Sequence, residues 1–474
     1  MALNDKMLYS KLKDYSKSGV YPFHMPGHKR NSSICDGVIP YDIDLTEIDG
    51  FDNLHNAEGC ILDVQAMAER LYNVKKAFLL VNGATGGILS AVRAMTNRGD
   101  KVIVARNSHK SVYNAIELCS LSPEYIVPSI DGDYGINSSI TPKQAEAAIR
   151  NNPDARLLII TSPTYEGVVS DIAEISRIAH LHNVRVLVDE AHGAHFPFLN
   201  KFPREAVQQG ADAAVVSLHK TLPSLTQTAL LLTSDEGLIE PIAENLAVFE
   251  TSSPSYIFMA AIERCLEYCQ NLKLFEDYAA RLNLFSEKCR ALKNIKVLCF
   301  GNDNVKNHSF FDFDISKITV SAKNLGISGV ELADKLRKDF LIEPEMVCAD
   351  YVLLITSVCD TDESFLRLFN ALQTIDNEYS GKEFKAENIG IKNPRIALPP
   401  CDCGEKEGEF QPLSKSMGSV SLEYVWAYPP GIPVIAKGEI VTQEIIDTII
   451  AQHKSGINVY STKGRIPESI YCFR

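Results

Sequence analysis

The 474-residue sequence has no block of lysine and arginine, and its formal net charge at pH 7 is −13. Because nucleic-acid-binding surfaces are strongly basic, this charge argues against a nucleic-acid partner. The first twenty residues lack an apolar signal core, and no later run approaches the length of a membrane-spanning helix. We therefore expect a cytoplasmic protein without a membrane partner.

The twelve cysteines lack the dense spacing of small disulfide-bonded secreted domains. We therefore expect reduced thiols. One local pair, Cys401 and Cys403, stands in PPCDCGEK, but a metal site would normally need a second close pair, which is not evident. We interpret this segment as a loop with two free thiols and predict no metal.

The chain is too long for one hydrophobic core, and its 45% hydrophobic content is that of an ordinary globular protein. We predict four units: an amino-terminal arm over 1–50, a large domain over 51–290, a smaller α/β segment over 291–390, and a carboxy-terminal domain over 391–474. The polar, proline-bearing stretch near 376–400 is typical of a linker.

Residues 77–235 alternate short apolar runs with helical patterns, which predicts an α/β domain with a mainly parallel sheet. The nearly continuous apolar character of the runs is typical of strands buried on both faces. The predicted strands are AFLLV (77–81), KVIVA (101–105), RLLIIT (156–161), RVLVD (185–189) and AAVVS (213–217). Ligands gather at the carboxyl ends of such strands, so the chemistry should lie just after each run.

The residues after these runs are polar and specific. NGATGG follows the first strand, and a glycine-rich turn that opens a helix makes Thr85 and the amide of Gly86 a plausible phosphate cradle. His109 follows the second strand. Asp189 ends the fourth and could pair with a protonated ring nitrogen, while the small Ala191 leaves room for a flat ligand.

Lys220 follows the fifth strand in SLHKT, and two interpretations apply. It is either a solvated charge at a strand end or a desolvated amine that forms a Schiff base. A rival hypothesis takes Asp189, His192 and His195 as metal ligands, which is chemically possible. That hypothesis leaves the glycine-rich turn and Lys220 unexplained.

Pyridoxal 5′-phosphate uses all of these parts together. It needs a lysine for a Schiff base, a carboxylate that keeps the pyridine nitrogen protonated, and a phosphate site at a helix amino terminus. Lys220 lies 31 residues after Asp189, which leaves room for one helix-sized connection, so neighbouring strand ends could carry both residues. We therefore predict this cofactor.

With these residues assembled, the chain resembles the ornithine/lysine/arginine decarboxylase family of fold type I pyridoxal phosphate enzymes. The resemblance covers nearly the whole length, and its short amino-terminal segment is similar to the compact branch without an amino-terminal wing domain. The motifs that carry it are FHMPGHK (23–29), DLTEIDGFDNL (44–54), NGATGG, NSHKS, SPTYEG (162–167), DEAHGAH, SLHKT, TSSPSY (251–256) and YPPGIP (428–433).

The resemblance implies an aspartate-aminotransferase-like large domain and a role for each site residue. Lys220 would be the Schiff-base lysine, Asp189 the pyridinium partner, and His109 the side chain stacked on the cofactor ring. The other residues expected to bind the cofactor are Thr85, Gly86, Ser217 and His219 at the phosphate, together with Ala191 and with His192, which stands at a position where relatives vary.

The family also implies a homodimer or higher homo-oligomer with shared sites, in which Ser252 reaches the phosphate in the partner subunit. The alternative for Ser252 is a helix-capping hydroxyl before Pro254. Two departures from the family pattern stand out: Ala84 takes the place of a hydroxyl residue, and Cys401 stands where relatives carry arginine.

The function that this resemblance implies is decarboxylation of arginine, lysine or ornithine, with arginine favoured, to a polyamine precursor. Asp44, Glu47 and Asp49 could accept the distal cationic group, or they could be solvated surface acids. Two alternatives stay open: another pyridoxal phosphate reaction, such as transamination or carbon–sulfur lysis, and a catalytically silent regulatory relative.

Overall fold

The computed structural model describes residues 19–23, 52–299, 308–379, 394–427 and 431–473. The predicted substrate acids Asp44, Glu47 and Asp49, and most of FHMPGHK, lie outside these residues. No helix in the described ranges is both long and apolar enough to cross a membrane.

The strands follow one another along the chain from β1 near the amino terminus to β21 at the carboxyl end. They are β1 Tyr21–Phe23, β2 Lys76–Leu80, β3 Lys101–Ala105, β4 Ser122–Ile126, β5 Ala155–Thr161, β6 Val168–Val169, β7 Arg185–Asp189, β8 Ala213–Val216, β9 Ala229–Thr233, β10 Lys296–Leu298, β11 Asp312–Phe313, β12 Lys317–Ser321, β13 Ile342–Pro344, β14 Met346–Val347, β15 Val352–Ile355, β16 Glu409–Pro412, β17 Val420–Ser421, β18 Val425–Ala427, β19 Pro433–Ile435, β20 Val459–Ser461 and β21 Ser469–Phe473.

The α-helices alternate with many of these strands. In chain order they are α1 Cys60–Tyr72, α2 Gly83–Met95, α3 Lys110–Leu118, α4 Pro142–Asn151, α5 Ile172–Leu181, α6 Leu218–Thr221, α7 Glu236–Phe249, α8 Tyr256–Cys269, α9 Leu272–Cys289, α10 Gly329–Phe340, α11 Asp362–Glu378 and α12 Gln443–Lys454.

A seven-stranded sheet in the order β2-β9-β8-β7-β5-β3-β4 forms the large domain. The five strands from β8 to β4 are parallel, which confirms the predicted mainly parallel α/β architecture. The first predicted strand is not parallel, however. β2 pairs antiparallel with β9, a strand that was absent from the predicted five, and β9 also pairs antiparallel with β8.

The side chains of each strand alternate between the two faces of this sheet, and each face has its own buried hydrophobic core. In β5, Leu158 and Ile160 belong to one buried cluster, whereas Leu157 and Ile159 belong to the other. Side chains of a strand point alternately to opposite faces, so helices on both faces can cover a continuously apolar strand. The polar residues are thereby left to the strand ends.

Several helices begin at residues that satisfy their first amides. Thr141, Ser328 and Thr361 each accept a hydrogen bond from the third residue of the helix that follows, in a reciprocal capping box. These polar residues precede amphipathic segments and therefore fix where α4, α10 and α11 start.

The connection from Asp189 to Lys220 differs from the predicted one. It contains two short 3₁₀ turns, Phe196–Phe198 and Val207–Gln209, where a full helix was expected. Pro197 and Pro203 lie in this stretch, and proline interrupts the hydrogen bonds of a longer helix. The strands are nevertheless neighbours, with Asp189 paired to Val215.

Two two-stranded sheets of the described residues, β1-β13 and β11-β6, join the two halves of the chain, and three larger ones lie in its second half. A four-stranded sheet in the order β10-β12-β15-β14 is followed by two three-stranded sheets, β16-β21-β17 and β19-β18-β20. Cys401 and Cys403 lie in a short 3₁₀ helix, Pro400–Glu405, and both are free thiols.

A buried ion pair joins the last part of the chain to the large sheet. The Arg106 guanidinium, at the end of β3, donates to both carboxylate oxygens of Glu439 at 3.1 and 3.0 Å. It also donates to the Pro433 carbonyl at 2.7 Å and to the Tyr113 hydroxyl at 3.0 Å. Because both charges are buried, each depends on the other for compensation.

Glu439→Gln should therefore destabilise the protein by about 3 kcal/mol, because it leaves a buried guanidinium without its anion. The midpoint of urea-induced unfolding measures this loss. Glu174→Gln is the matched control, since the Glu174–Arg177 pair is exposed and should change the midpoint little. Equal midpoints for the two variants would contradict the stabilising role of the buried pair.

Candidate active site

The carboxyl ends of the parallel strands open into a cavity of about 330 Å³. Its position agrees with the general location of ligand sites in such sheets. The described residues that line it are Gly83, Ala84, Thr85, Asn107, His109, Ser111, Thr161, Tyr165, Asp189, Ala191, His192, Ser217, His219, Lys220, Thr226 and Ile432.

Most of the predicted site residues meet in this cavity. Those that line it are Thr85, His109, Asp189, Ala191, His192, Ser217, His219 and Lys220. Gly86 and Ser252 do not line it. The Gly86 amide lies 3.4 Å from the Asn82 carbonyl, within the first helical turn, so the amides free for an anion come earlier in α2.

Ser252 is exposed and lies between α7 and α8. The hydroxyl that caps α8 belongs to Ser255, which accepts from the Phe258 amide, so the capping role considered for Ser252 is wrong. Its expected contact with a partner subunit stays a prediction.

The amino terminus of α2 forms one end of the cavity. Gly83 has φ +69°, a left-handed conformation that glycine adopts without strain, and its amide donates to the Gln227 carbonyl at 3.0 Å. A Cβ atom on Gly87 would lie 2.5 Å from a Leu80 side-chain carbon, so this glycine allows the helix to approach the sheet closely. The following amides of Ala84 and Thr85 precede the first intrahelical bonds and can bind an anion.

Two side chains after β8 face the same end. The buried Ser217 hydroxyl has no hydrogen-bond partner among the described residues, which suits it to an anion. His219 Nδ1 lies 2.9 Å from the Thr228 carbonyl and must therefore carry a proton. Burial lowers the pKa of His219 to about 4. A phosphate contact at Nε2 thus requires the imidazolium form or a protonated phosphate oxygen.

Lys220 is partly buried and faces the cavity. Its Nζ lies 3.1 Å from His192 Nε2 and 5.8 Å from the centre of the Tyr165 ring. Burial lowers the pKa of Lys220, and the nearby carboxylates of Asp189 and Glu345 oppose that shift. The strand-end lysine is therefore a desolvated amine, and the interpretation as a solvated surface charge is wrong.

Asp189 places a buried carboxylate next to this amine. Its Oδ1 accepts a hydrogen bond from the Ala191 amide at 3.2 Å. Burial raises the pKa of Asp189, and the Lys220 charge lowers it. A cationic partner stabilises the negative charge of a buried carboxylate, and a protonated ring nitrogen would be such a partner.

His109 is oriented by the helix that it precedes. Its Nδ1 accepts from the Ser111 amide at 3.2 Å and lies 2.9 Å from the Ser111 hydroxyl, so the ring caps α3. Burial first, and then the charges of Lys220 and Lys110, lower the pKa of His109 to about 3. The ring is therefore neutral near pH 7 and can lie against a flat aromatic ligand.

His192 and Tyr165 form the side of the cavity next to Lys220. Their ring centres are 4.4 Å apart at an interplanar angle of 58°. Burial lowers the pKa of His192, so a neutral imidazole faces the amine. The Tyr165 hydroxyl donates to Glu345 Oε1, which brings a carboxylate from the turn after β13 to this side.

The metal-site hypothesis is wrong for His195. This residue does not line the cavity, and its Nε2 lies 3.0 Å from Asp314 Oδ1. Asp314 also accepts from the buried Lys317 amine at 2.6 Å. Within the described ranges, no three or more His, Cys, Asp or Glu side chains are grouped to hold a metal ion.

Several lining residues were not predicted. Asn107 and Ser111 flank His109 in NSHKS, Tyr165 stands in SPTYEG, and Ile432 stands in YPPGIP, so each belongs to a recognised motif. Their motif membership was the available signal. Nothing in the local sequence pattern indicated which side chain of each motif faces the ligand.

Comparison with known proteins identifies the family. Residues 6–325 match the model for the major domain of Orn/Lys/Arg decarboxylases. The chain belongs to the ornithine/lysine/arginine decarboxylase family. It is 33% identical to the arginine decarboxylase of Bacillus subtilis over 97% of this chain and 96% of that protein. The enzyme is accordingly an amino acid decarboxylase.

Solved structures confirm the fold type I architecture expected for the family. The lysine decarboxylase of Francisella novicida matches with a TM-score of 0.78 at 19% identity, covering 98% of this chain and 80% of that one. The ureidoglycine–glyoxylate aminotransferase of Bacillus subtilis matches with a TM-score of 0.54 at 13% identity, covering 69% and 87% of the two chains.

The geometry predicts which amine of the decarboxylase reacts with an aldehyde. Borohydride reduction of the protein with pyridoxal 5′-phosphate should label Lys220, because its amine is desolvated and therefore more nucleophilic at neutral pH than a solvated lysine. Peptide mapping by mass spectrometry locates the label. Lys317, which is buried but paired with Asp314, is the internal control and should stay unlabelled. A main label on any other lysine would refute the assignment.

Proposed function

We propose that this decarboxylase uses pyridoxal 5′-phosphate to convert a basic amino acid, preferably arginine, into a polyamine precursor. The observation that carries the proposal is the desolvated Lys220 amine, which shares one cavity with the buried Asp189 carboxylate and the amino terminus of α2. The Bacillus subtilis relative is named an arginine decarboxylase, which favours arginine over lysine and ornithine.

The lining residues fit this cofactor at each of its parts. The first amides of α2, together with Thr85 and the unpartnered Ser217 hydroxyl, would hold the phosphate. His109 would cover one face of the ring, and Ala191 leaves space for the other. When bound, the cofactor ring withdraws the electron pair that stays on the substrate Cα as carbon dioxide leaves.

Side chains of the protein set the charges and the protonation states of the groups that take part in that step. Asp189 would hold a proton at the ring nitrogen, since a buried carboxylate stabilises a cation beside it. Burial lowers the pKa of the Lys220 amine, which favours its neutral, nucleophilic form, and the neutral His192 can accept a hydrogen bond at Nε2 from that amine 3.1 Å away. A proton finally takes the place of the carboxylate on Cα, so the reaction consumes one proton.

A carboxylate near the cavity supports a cationic substrate. Glu345 accepts from the Tyr165 hydroxyl, and its charge acts on Lys220, so it lies near enough to attract a distal guanidinium or ammonium group. Asp44, Glu47 and Asp49 remain the acceptors that the sequence predicts, and they lie outside the described residues.

Incubation of the purified enzyme and cofactor with arginine, lysine, ornithine and neutral norleucine tests the proposal. We expect carbon dioxide from a basic amino acid, fastest from arginine, and none from norleucine. Lys220→Ala is the control and should release none. Keto acid without carbon dioxide would overturn the proposal in favour of transamination, and release from norleucine alone would overturn the substrate class.

We also propose a homodimer in which Ser252 of one subunit approaches the phosphate site of the other. Its exposed position, outside its own subunit's cavity, supports a contact made elsewhere. Mixing inactive Lys220→Ala chains with chains carrying Ser252→Asp should restore about one quarter of wild-type activity, because half of the dimers are hybrids with one intact site. No recovery despite proven subunit exchange would refute shared sites.

A further inference from the structure

In the described residues of the carboxy-terminal part, Ile432 is the one side chain that lines the active-site cavity. We propose that Ile432 is a specificity-determining residue: the aliphatic wall against which the methylene groups of the substrate side chain pack. The inference rests on the proposed function, and it adds how the enzyme recognises the uncharged middle of its substrate.

The composition of the cavity isolates this residue. Among the described residues that line it, Ile432 is the only branched aliphatic side chain. The small Ala84 and Ala191 offer little apolar surface, and the aromatic Tyr165 uses its hydroxyl to bond Glu345. A substrate with a hydrocarbon chain therefore finds one extended aliphatic surface in this part of the site.

The backbone on the amino-terminal side of Ile432 is held beside His109. The Gly431 carbonyl accepts from the amide of Lys110, the residue after His109, at 3.1 Å. The Gly431 amide donates to the Ala427 carbonyl at 3.0 Å, and its φ of +82° favours glycine. Ile432 is thus fixed relative to a residue that borders the cofactor position.

The backbone on the other side is held by the buried ion pair. The carbonyl of Pro433, the next residue, accepts from Arg106 at 2.7 Å, and Arg106 is itself fixed by Glu439. Arg106 directly follows β3, close to His109 in the sequence. Hydrogen bonds hold the backbone on both sides of Ile432, so its side chain resists displacement by a ligand. Such a side chain can discriminate between ligands that differ by one methylene.

The chemistry of basic amino acids requires such a surface. Their carboxylate, amine and distal cation are polar, but three methylene groups in arginine and ornithine, and four in lysine, lie between the Cα atom and the distal nitrogen. Each methylene removed from water strengthens binding by about fourfold. Among the described lining residues, Ile432 offers the longest aliphatic surface for this contact.

Isothermal titration calorimetry of the pyridoxal-phosphate-loaded enzyme with alanine, norvaline and norleucine tests the wall directly. These neutral amino acids differ only in aliphatic length, so the change in Kd per methylene reports apolar contact without a distal charge. We expect Kd to fall by about fourfold per methylene in the wild type and by less than about twofold in Ile432→Ala.

The matched control is Ile440→Ala. Ile440 is also partly exposed and lies in the same part of the chain, but it does not line the cavity, and its amide donates to the Arg395 carbonyl. This control should keep the wild-type dependence on length. If Ile432→Ala does not fold, as judged by circular dichroism, Ile432→Val should fold and reduce the dependence by a smaller amount.

The result distinguishes direct contact between Ile432 and the ligand from a general effect of Ile432 on the structure of the site. A flattened length dependence in the Ile432 variants alone supports the proposal. A uniform weakening of all three amino acids, with the length dependence kept, overturns it, since a merely structural role acts equally on every ligand. The binding measurement needs no turnover, so a failure to decarboxylate basic amino acids would refute the proposed function separately.

Discussion

The parallel pairing of β7 with β8 sets the distance between the two groups on which the chemistry depends. Asp189 pairs with Val215, so the chain that leaves β8 carries Ser217, His219 and Lys220 past the Asp189 carboxylate. If β8 ran antiparallel to β7, its carboxyl end would lie at the opposite edge of the sheet, and Lys220 would be far from Asp189. The remaining parts of the site, the α2 amino terminus and His109, are added at neighbouring strand ends of the same sheet edge.

Burial then determines the protonation states in this cavity. Desolvation lowers the pKa of His109, His192, His219 and Lys220, so the imidazoles are neutral and the amine is more easily deprotonated than in water. The same desolvation raises the pKa of Asp189. The protonation states of these groups are therefore sensitive to the charge of a bound ligand. The proposed cofactor carries both a negative phosphate and a ring nitrogen that can be positively charged.

Most of the parallel strands and the residues at their ends could be predicted from the sequence, because they depend on local patterns of apolar and polar residues. Apolar runs located four of the five parallel strands, and the residues at or after their carboxyl ends included Asp189, His109 and Lys220. The fifth, β4, was missed because its sequence SPEYI is not an apolar run. The antiparallel direction of β2 was missed, because β9 reaches it from about 150 residues along the chain and leaves no local signal. Glu345 was missed for the same reason, since a tertiary contact with Tyr165 brings it near the cavity. Ile432 stands in a recognised motif, but the motif does not indicate that its side chain lines the cavity. The predicted phosphate amide of Gly86 lies one or two residues beyond the free amides of Ala84 and Thr85, because the start of a helix is not visible in a glycine-rich segment.

The bond between Arg106 and Glu439 spans 333 positions in the sequence. During protein synthesis at about 5 to 20 residues per second, roughly twenty seconds to a minute pass between the two ends of this pair. The large sheet with its reactive lysine can fold during that interval, whereas the Ile432 side of the site arrives with the last portion of the chain. Among the described residues that line the cavity, Ile432 is thus the last to be synthesised, about two hundred residues after Thr226.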